Sequence, residues 1–229
     1  MSISSELIIL NQTKQNINSA INLKGVSVTD EAFAEYPNKV MLIPNGSGTY
    51  ESQVILFLEG KLKHAVIPDG TTSVGDYAFS DMTIESVTIP NTVVSIGNHS
   101  FTRCYSLTSL TIPDSVTYIG NYSFYVCNGL ASLNMGSYLQ TIGDNAFYAC
   151  SSLTSIEIPN TVSSIGEEAF YRCNGLLSVT CLSVNPPTLG ADAFRDTNNC
   201  PIYVPSESVL AYQTSDGWIN YASRITAIS

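Results

Sequence analysis

Apolar and polar positions follow one another along most of this chain in a single order that keeps returning. Between residues 107 and 129 the apolar positions are Leu107, Leu110, Ile112, Val116, Ile119, Phe124 and Cys127, with small or polar residues between them. The flanking sequence rewrites the same pattern. Its phenylalanine recurs at Phe79, Phe101, Phe124, Phe147, Phe170 and Phe194, at spacings of 22, 23, 23, 23 and 24. The glycine four residues earlier keeps the same beat at Gly75, Gly97, Gly120, Gly143, Gly166 and Gly190. A 23-residue period over six copies marks a chain made of one supersecondary unit, each copy burying its apolar face against the next.

Inside the unit, alternation across Leu110, Thr111 and Ile112 is the period of a strand with one buried face. The pattern predicts strands over 62–67, 84–89, 107–112, 130–135, 153–158 and 176–181, stacked as a parallel sheet. Pro68, Pro90, Pro113 and Pro159 stop the strands because proline donates nothing to the next rung, and Gly136 takes that place once. The glycine of the Ile-Gly pair reads as a corner with positive φ. The segment after it, Asp144 to Cys150 in one copy, reads as one or two helical turns on the outer side. Repeats of this length with a Leu-x-x-Leu-x-Leu core are leucine-rich repeats. The predicted fold is an α/β solenoid: a right-handed superhelix of six repeats, with a parallel sheet on one face and short helical turns on the other.

The pattern also divides the chain. Residues 1–45 lack the repeat and read as a small module: a helix over Thr13 to Lys24 ending at Gly25, short strands around Val26 and Val28, and a short helix from Asp30 closed by Pro37. Residues 46–61 are a linker and a capping hairpin, with a strand over 54–58 and a turn at Glu59-Gly60-Lys61. The repeats occupy 62–200, and Asn185-Pro186-Pro187 lengthens the last spacing into an expected bulge. Residues 201–229 form a C-terminal cap: the strand Ile202 to Val204, an N-capped helix after Pro205, an apolar face of Trp218, Ile219 and Tyr221, and a last strand at Ile225 to Ile228.

Composition narrows the picture further. The net charge of −10, with 9 Lys and Arg against 19 Asp and Glu, excludes a nucleic-acid partner, which needs clustered cations. No apolar run reaches 18 residues, so no membrane span is expected. The opening residues have no basic stretch, only a four-residue apolar run and no small-residue cleavage site, and so do not read as a secretory signal. Of the 6 cysteines, Cys104, Cys127, Cys150 and Cys173 occupy one repeat position. Successive coils place equivalent Cβ atoms about 4.8 Å apart and parallel, which is wrong for a disulfide. A column of buried thiols is expected, ending at Met82 and Thr197. Pairing of Cys181 with Cys200 stays open.

No catalytic, metal or cofactor site can be assembled from the sequence. The two histidines, His64 and His99, lie on different repeats at different positions, and His64 reads as an exposed strand residue. No Gly-rich phosphate loop, His-Glu-x-x-His or Gly-x-Ser-x-Gly occurs. Candidate binding surfaces come from the outward columns. On the sheet these are Ser86/Thr88, Ser109/Thr111, Ser132/Asn134, Ser155/Glu157 and Ser178/Thr180, a small polar face that reads either as a fitting column of the repeat or as a binding site. After the repeated phenylalanine stand Ser80, Thr102, Tyr125, Tyr148, Tyr171 and Arg195. The three tyrosines form a stripe about 10 Å long. It reads either as an interface anchor or as rings packed together to shield the turns.

The units Ile112 to Cys127 (IPDSVTYIGNYSFYVC) and Ile158 to Cys173 (IPNTVSSIGEEAFYRC) resemble the BspA-like leucine-rich repeat family, in which proline follows the strand and Ile-Gly-x-x-Ala-Phe-x-x-Cys closes the unit. Ile202 to Pro205, Ala211-Tyr212 and Gly217-Trp218 resemble the cap that ends many such proteins in gut bacteria. The resemblance covers residues 60–229 and implies a non-enzymatic, surface-associated recognition protein, tied to adhesion and to a protein or glycan ligand, extracellular or on the cell surface. Thr13 to Ile17, Ala20-Ile21, Lys24 to Val26 and Ala34 to Pro37 resemble instead the short segment that precedes variable domains in bacteriophage and prophage tail appendages. That likeness implies the alternative of a tail-associated receptor-binding or structural protein in a virion.

Overall fold

The chain divides into two compact units, Met1–Lys39 and Val40–Ser229. The computed structural model describes residues 39–40, 63–67 and 69–228. Apart from the two-residue strand Lys39–Val40, the expected N-terminal module, linker and capping hairpin lie outside the described residues.

The second unit is a leucine-rich repeat solenoid. Each coil contributes a front strand: His64–Val66, Ser86–Thr88, Ser109–Thr111, Ser132–Asn134, Ser155–Ile158 and Ser178–Cys181, followed in the cap by Ile202–Val204 and Ile225–Ala227. Equivalent residues face one another in parallel register, His64 beside Ser86, Ser109 beside Ser132, and Ser155 beside Ser178. Proline carbonyls close the turn that follows, with the Val93, Val116 and Val162 N–H groups donating to Pro90, Pro113 and Pro159 at 3.1 Å.

A second parallel sheet, which the sequence pattern does not announce, runs behind the first. Its strands are Ser73–Val74, Ser95–Ile96, Tyr118–Ile119, Thr141–Ile142, Ser164–Ile165 and Thr188–Leu189, paired in one unbroken row of six. The Ile-Gly pair ends each central strand of this row.

That glycine is required for a different reason from the one its position suggests. Gly97, Gly120, Gly143, Gly166 and Gly190 do not have positive φ. A Cβ at Gly120 would instead lie 2.8 Å from the Asn98 nitrogen of the coil before. The close approach lets side chains tie the coils together. Asp76 Oδ1 accepts the Asn98 N–H at 2.6 Å, Asn98 Oδ1 that of Asn121 at 2.9 Å, Asn121 Oδ1 that of Asp144 at 2.8 Å, and Asp144 Oδ1 that of Glu167 at 2.8 Å.

Positive φ falls two residues after the glycine and two after the phenylalanine, at Tyr122 (φ 56) and Val126 (φ 58) in one coil. These residues change what the outer segment is. Helical turns were expected; the structure has successive tight turns. The N–H groups of Tyr122, Phe124 and Val126 donate to Asp144, Ala146 and Tyr148 of the next coil at 2.8, 2.7 and 2.7 Å, while those of Tyr125 and Cys127 close i→i−3 turns at 3.2 Å. A helix would keep all these donors within its own coil. Alternating them leaves half free to bind the neighbour, so the outer side is laced together like a sheet.

The core is a set of columns. Phe79, Phe101, Phe124, Phe147, Phe170 and Phe194 are fully buried and stack with centroids 4.9 to 5.4 Å apart and planes within 6°. The row meets Trp218 at 5.7 Å and the edge of Tyr221 at 5.9 Å. The cap is thus wedged onto the last ring. It also grips the bulge at 183–187, through Tyr212 Oη to the Ser183 carbonyl at 2.9 Å and Trp218 Nε1 to that of Pro187 at 2.7 Å. Its helix, Val209–Thr214, follows a 3-10 turn, Ser206–Ser208, and neither start is closed by a side-chain hydrogen bond, contrary to the N-cap expected there. Ile219 points outward while Trp218 and Tyr221 are buried.

The four repeated cysteines form the expected buried column, with Met82 and Thr197 buried at its ends. All six cysteines are free thiols. Cys181 and Cys200 belong to different columns, the first equivalent to Ile158 and the second to Leu176 of the coils before, which keeps them apart.

Candidate functional site

The outer turns build the site. Because Phe124 points into the core, the next residue points out, and the coil spacing brings successive copies of that position together. Tyr125 stacks on Tyr148 at 4.8 Å and Tyr148 on Tyr171 at 5.1 Å, with planes 26° and 24° apart. All three are partly exposed. Burial by its neighbours pushes the Tyr148 phenol above its ordinary range, with Arg172 pulling the other way.

The stripe is longer than the sequence showed. Tyr77, His99 and Tyr122, each two residues after a repeat glycine, stack at 4.6 and 4.8 Å with planes within 3°. Tyr122 meets Tyr125 of its own coil at 5.5 Å and 59°. Six rings therefore run as one ribbon, beginning in one repeat column and ending in another. Aligning the column at 77, 99 and 122 would have revealed the first three; the join between the columns depends on how the turn folds. At the far end Arg172 and Arg195 lie over the Tyr171 ring, at 5.3 and 5.9 Å from its centroid. At the near end Tyr77 is 59% exposed, so the ribbon's first ring is open to solvent.

Stacking determines what the ribbon can offer. The faces of the central rings are covered by their neighbours, so what remains outward is ring edges, which carry the positive end of the quadrupole, and phenol hydroxyls.

The sheet face is also outward: Ser109, Thr111, Ser132, Asn134, Ser155 and Glu157 are all exposed. These side chains do not meet the ribbon, which occupies the turns. A shallow cleft opens between two front strands, lined by Ser86, Thr88, Ser109 and Thr111. His64 is exposed on this face, its Nδ1 2.8 Å from the Ser86 hydroxyl. Among the described residues no helix is long and apolar enough to cross a membrane.

Comparison with known proteins places this architecture. The BspA type leucine rich repeat model matches in six copies over residues 53–177 and 140–214. The chain belongs to that family, a repeat scaffold whose leucine-rich relatives in general bind protein ligands. A solved leucine-rich repeat protein of T. pallidum is 29% identical over 72% of this chain and 77% of that one, with a TM-score of 0.61. Two further solved structures match at lower similarity. A leucine-rich repeat protein from Bacteroides ovatus is 22% identical over 74% of this chain and 55% of that one, with a TM-score of 0.45. A leucine rich cell surface protein from Faecalibacterium prausnitzii is 19% identical over 74% and 64%, with a TM-score of 0.40. No curated protein sequence matches the chain.

Proposed function

We propose that this chain is a non-enzymatic recognition module that binds a protein on a cell surface, docking it along the outer ribbon from Tyr125 to Tyr171. The observation that carries this reading is the ribbon itself. Tyrosine and arginine are the side chains that most often anchor protein interfaces, and here each ring is held by the next. Ordering them costs little when a partner arrives, because the stack is already formed. Membership of a repeat family that works by presenting surfaces supports the same role, and the family resemblance supports a cell-surface setting.

A protein partner is favoured over a glycan by the ring geometry. A sugar packs its C–H face on an open aromatic face, and the central rings of the ribbon offer none. The polar sheet face remains the second candidate surface, with Ser109, Thr111, Ser132, Asn134, Ser155 and Glu157 as its outward groups.

The test is binding of the labelled full chain to cultured epithelial cells, before and after trypsin treatment of the cells. Tyr125, Tyr148 and Tyr171 are replaced together by serine, with circular dichroism showing an unchanged fold. Binding that is trypsin-sensitive and at least tenfold weaker in the variant supports the reading; binding that the triple substitution leaves unchanged removes the ribbon from it.

A further inference from the structure

Cations are scarce on this solenoid, and among the described residues nearly all are engaged. Lys63 pairs with Glu85 at 2.6 Å, Arg103 with Asp81 at 3.6 Å, and Arg195 with Asp192 at 3.1 Å. Arg224 is taken up inside the cap, its Nε donating to the Cys200 carbonyl at 2.8 Å and its Nη2 to Thr197 Oγ1 at 2.8 Å. Arg172 is the one arginine among the described residues that is exposed and without a carboxylate at ion-pair distance. In a chain of net charge −10 that is unusual, since carboxylates outnumber their possible partners two to one.

The position of Arg172 is equally particular. Its guanidinium lies over Tyr171, the last ring of the ribbon. It also lines a polar cleft between two coils, together with Asn174, Asp196, Asn198 and Asn199. The Asn174 amide, oriented to donate, bridges the coils to the Arg172 and Asp196 carbonyls at 3.3 and 2.6 Å.

We propose that this cleft is the specificity site of the recognition surface and holds a carboxylate side chain of an extended peptide segment, bound by Arg172, with the segment's main chain read by the carboxamides around it. The guanidinium fork matches a carboxylate with two parallel hydrogen bonds. A carboxamide carries both a donor and an acceptor, the complement of a peptide group. Asp196, whose charge also acts on Arg172, takes a main-chain N–H of the segment. The segment then continues over Tyr171 toward Tyr148 and Tyr125, where ring edges and hydroxyls meet its carbonyls. The inference rests on the ribbon being the binding surface and adds where the partner's charge must fall.

The ¹⁵N-labelled full chain is titrated with a blocked peptide of alternating glycine and glutamate, with its glutamine counterpart, and with cellohexaose, following amide shifts. The glutamate peptide is expected to move the amides of residues 172–174 and 196–199. The glutamine peptide should bind at least tenfold more weakly, and so should the glutamate peptide to Arg172→Gln; Arg172→Lys should recover only part of the affinity. Shifts absent from the cleft, or equal for both peptides or for Arg172→Gln, overturn the proposal. Cellohexaose moving the same amides overturns it in favour of a sugar ligand. On cells, Arg172→Gln binding like the wild type while the tyrosine triple variant fails would sink the cleft alone; both variants binding normally would sink the recognition reading with it.

Discussion

Gly120 and Val126 stand six residues apart in one coil, and substitutions at the two are expected to move stability in opposite directions. At Gly120 a Cβ would come within 2.8 Å of the Asn98 nitrogen and the Gly97 carbonyl carbon, backbone that cannot move without parting the coils. Gly120→Ala should therefore cost about 1–3 kcal/mol, the usual range for overpacking. Val126 is a β-branched residue at φ 58, where an L side chain costs roughly 1–2 kcal/mol. Asparagine tolerates this region better, so Val126→Asn should stabilise by about 1 kcal/mol. Urea unfolding followed by circular dichroism checks both: the midpoint falls for the first variant and rises for the second.

Among the elements, the thiol column has the clearest chemical consequence. Sγ of Cys104, Cys127, Cys150 and Cys173 donates to the carbonyls of Phe79, Phe101, Phe124 and Phe147 at 3.0 to 3.2 Å. Burial raises all four thiol pKa values, those of Cys104 and Cys173 to about 12. In an unfolded chain the same groups ionise near 8.5. An acid whose folded pKa is raised contributes stability that is fully present below the unfolded value and lost as pH rises toward the folded one. The urea midpoint should accordingly hold up to about pH 8 and fall steadily between pH 9 and 12. A midpoint that stays level across that window would show that the column is open to solvent. Tyr212 and Tyr221, whose phenols burial also pushes up, steepen the upper part of the same decline.

At the scale of the whole molecule, a solenoid is held by contacts between neighbours and is weakest where neighbours run out. Arg224 closes the C-terminal end by donating to the carbonyls of Cys200 and Phe194 and to Thr197. Charged hydrogen bonds of this kind are each worth about 1.5–3 kcal/mol. Arg224→Met should therefore loosen the end before the middle. Hydrogen exchange should quicken at residues 194–204 while amides of the central coils, such as Ile119 and Ile142, keep their protection. Equal acceleration everywhere would mean that the coils open as one body and that the cap does not act locally.

Periodicity alone determined which residues of the repeats are inside: the phenylalanine row, the thiol column and the strand face are all positions where a side chain's direction follows from its place in the unit. What the tertiary structure decided are matters between coils. The back sheet is built of two-residue strands, too short for alternation to register. The repeat glycine answers to the backbone of the coil before, not to its own φ. Outer donors leave their own coil for the next, which removes the helical turns that local spacing suggests. Tyr77, His99 and Tyr122 join Tyr125, Tyr148 and Tyr171 only because one turn carries two repeat columns to the same edge. Arg172 differs from Arg103 and Arg195 in what stands beside it, which no spacing in the chain encodes. A sequence specifies the inside of a repeat through local pattern; its surface is assembled from residues some 23 positions apart, and only stacking determines which of them meet.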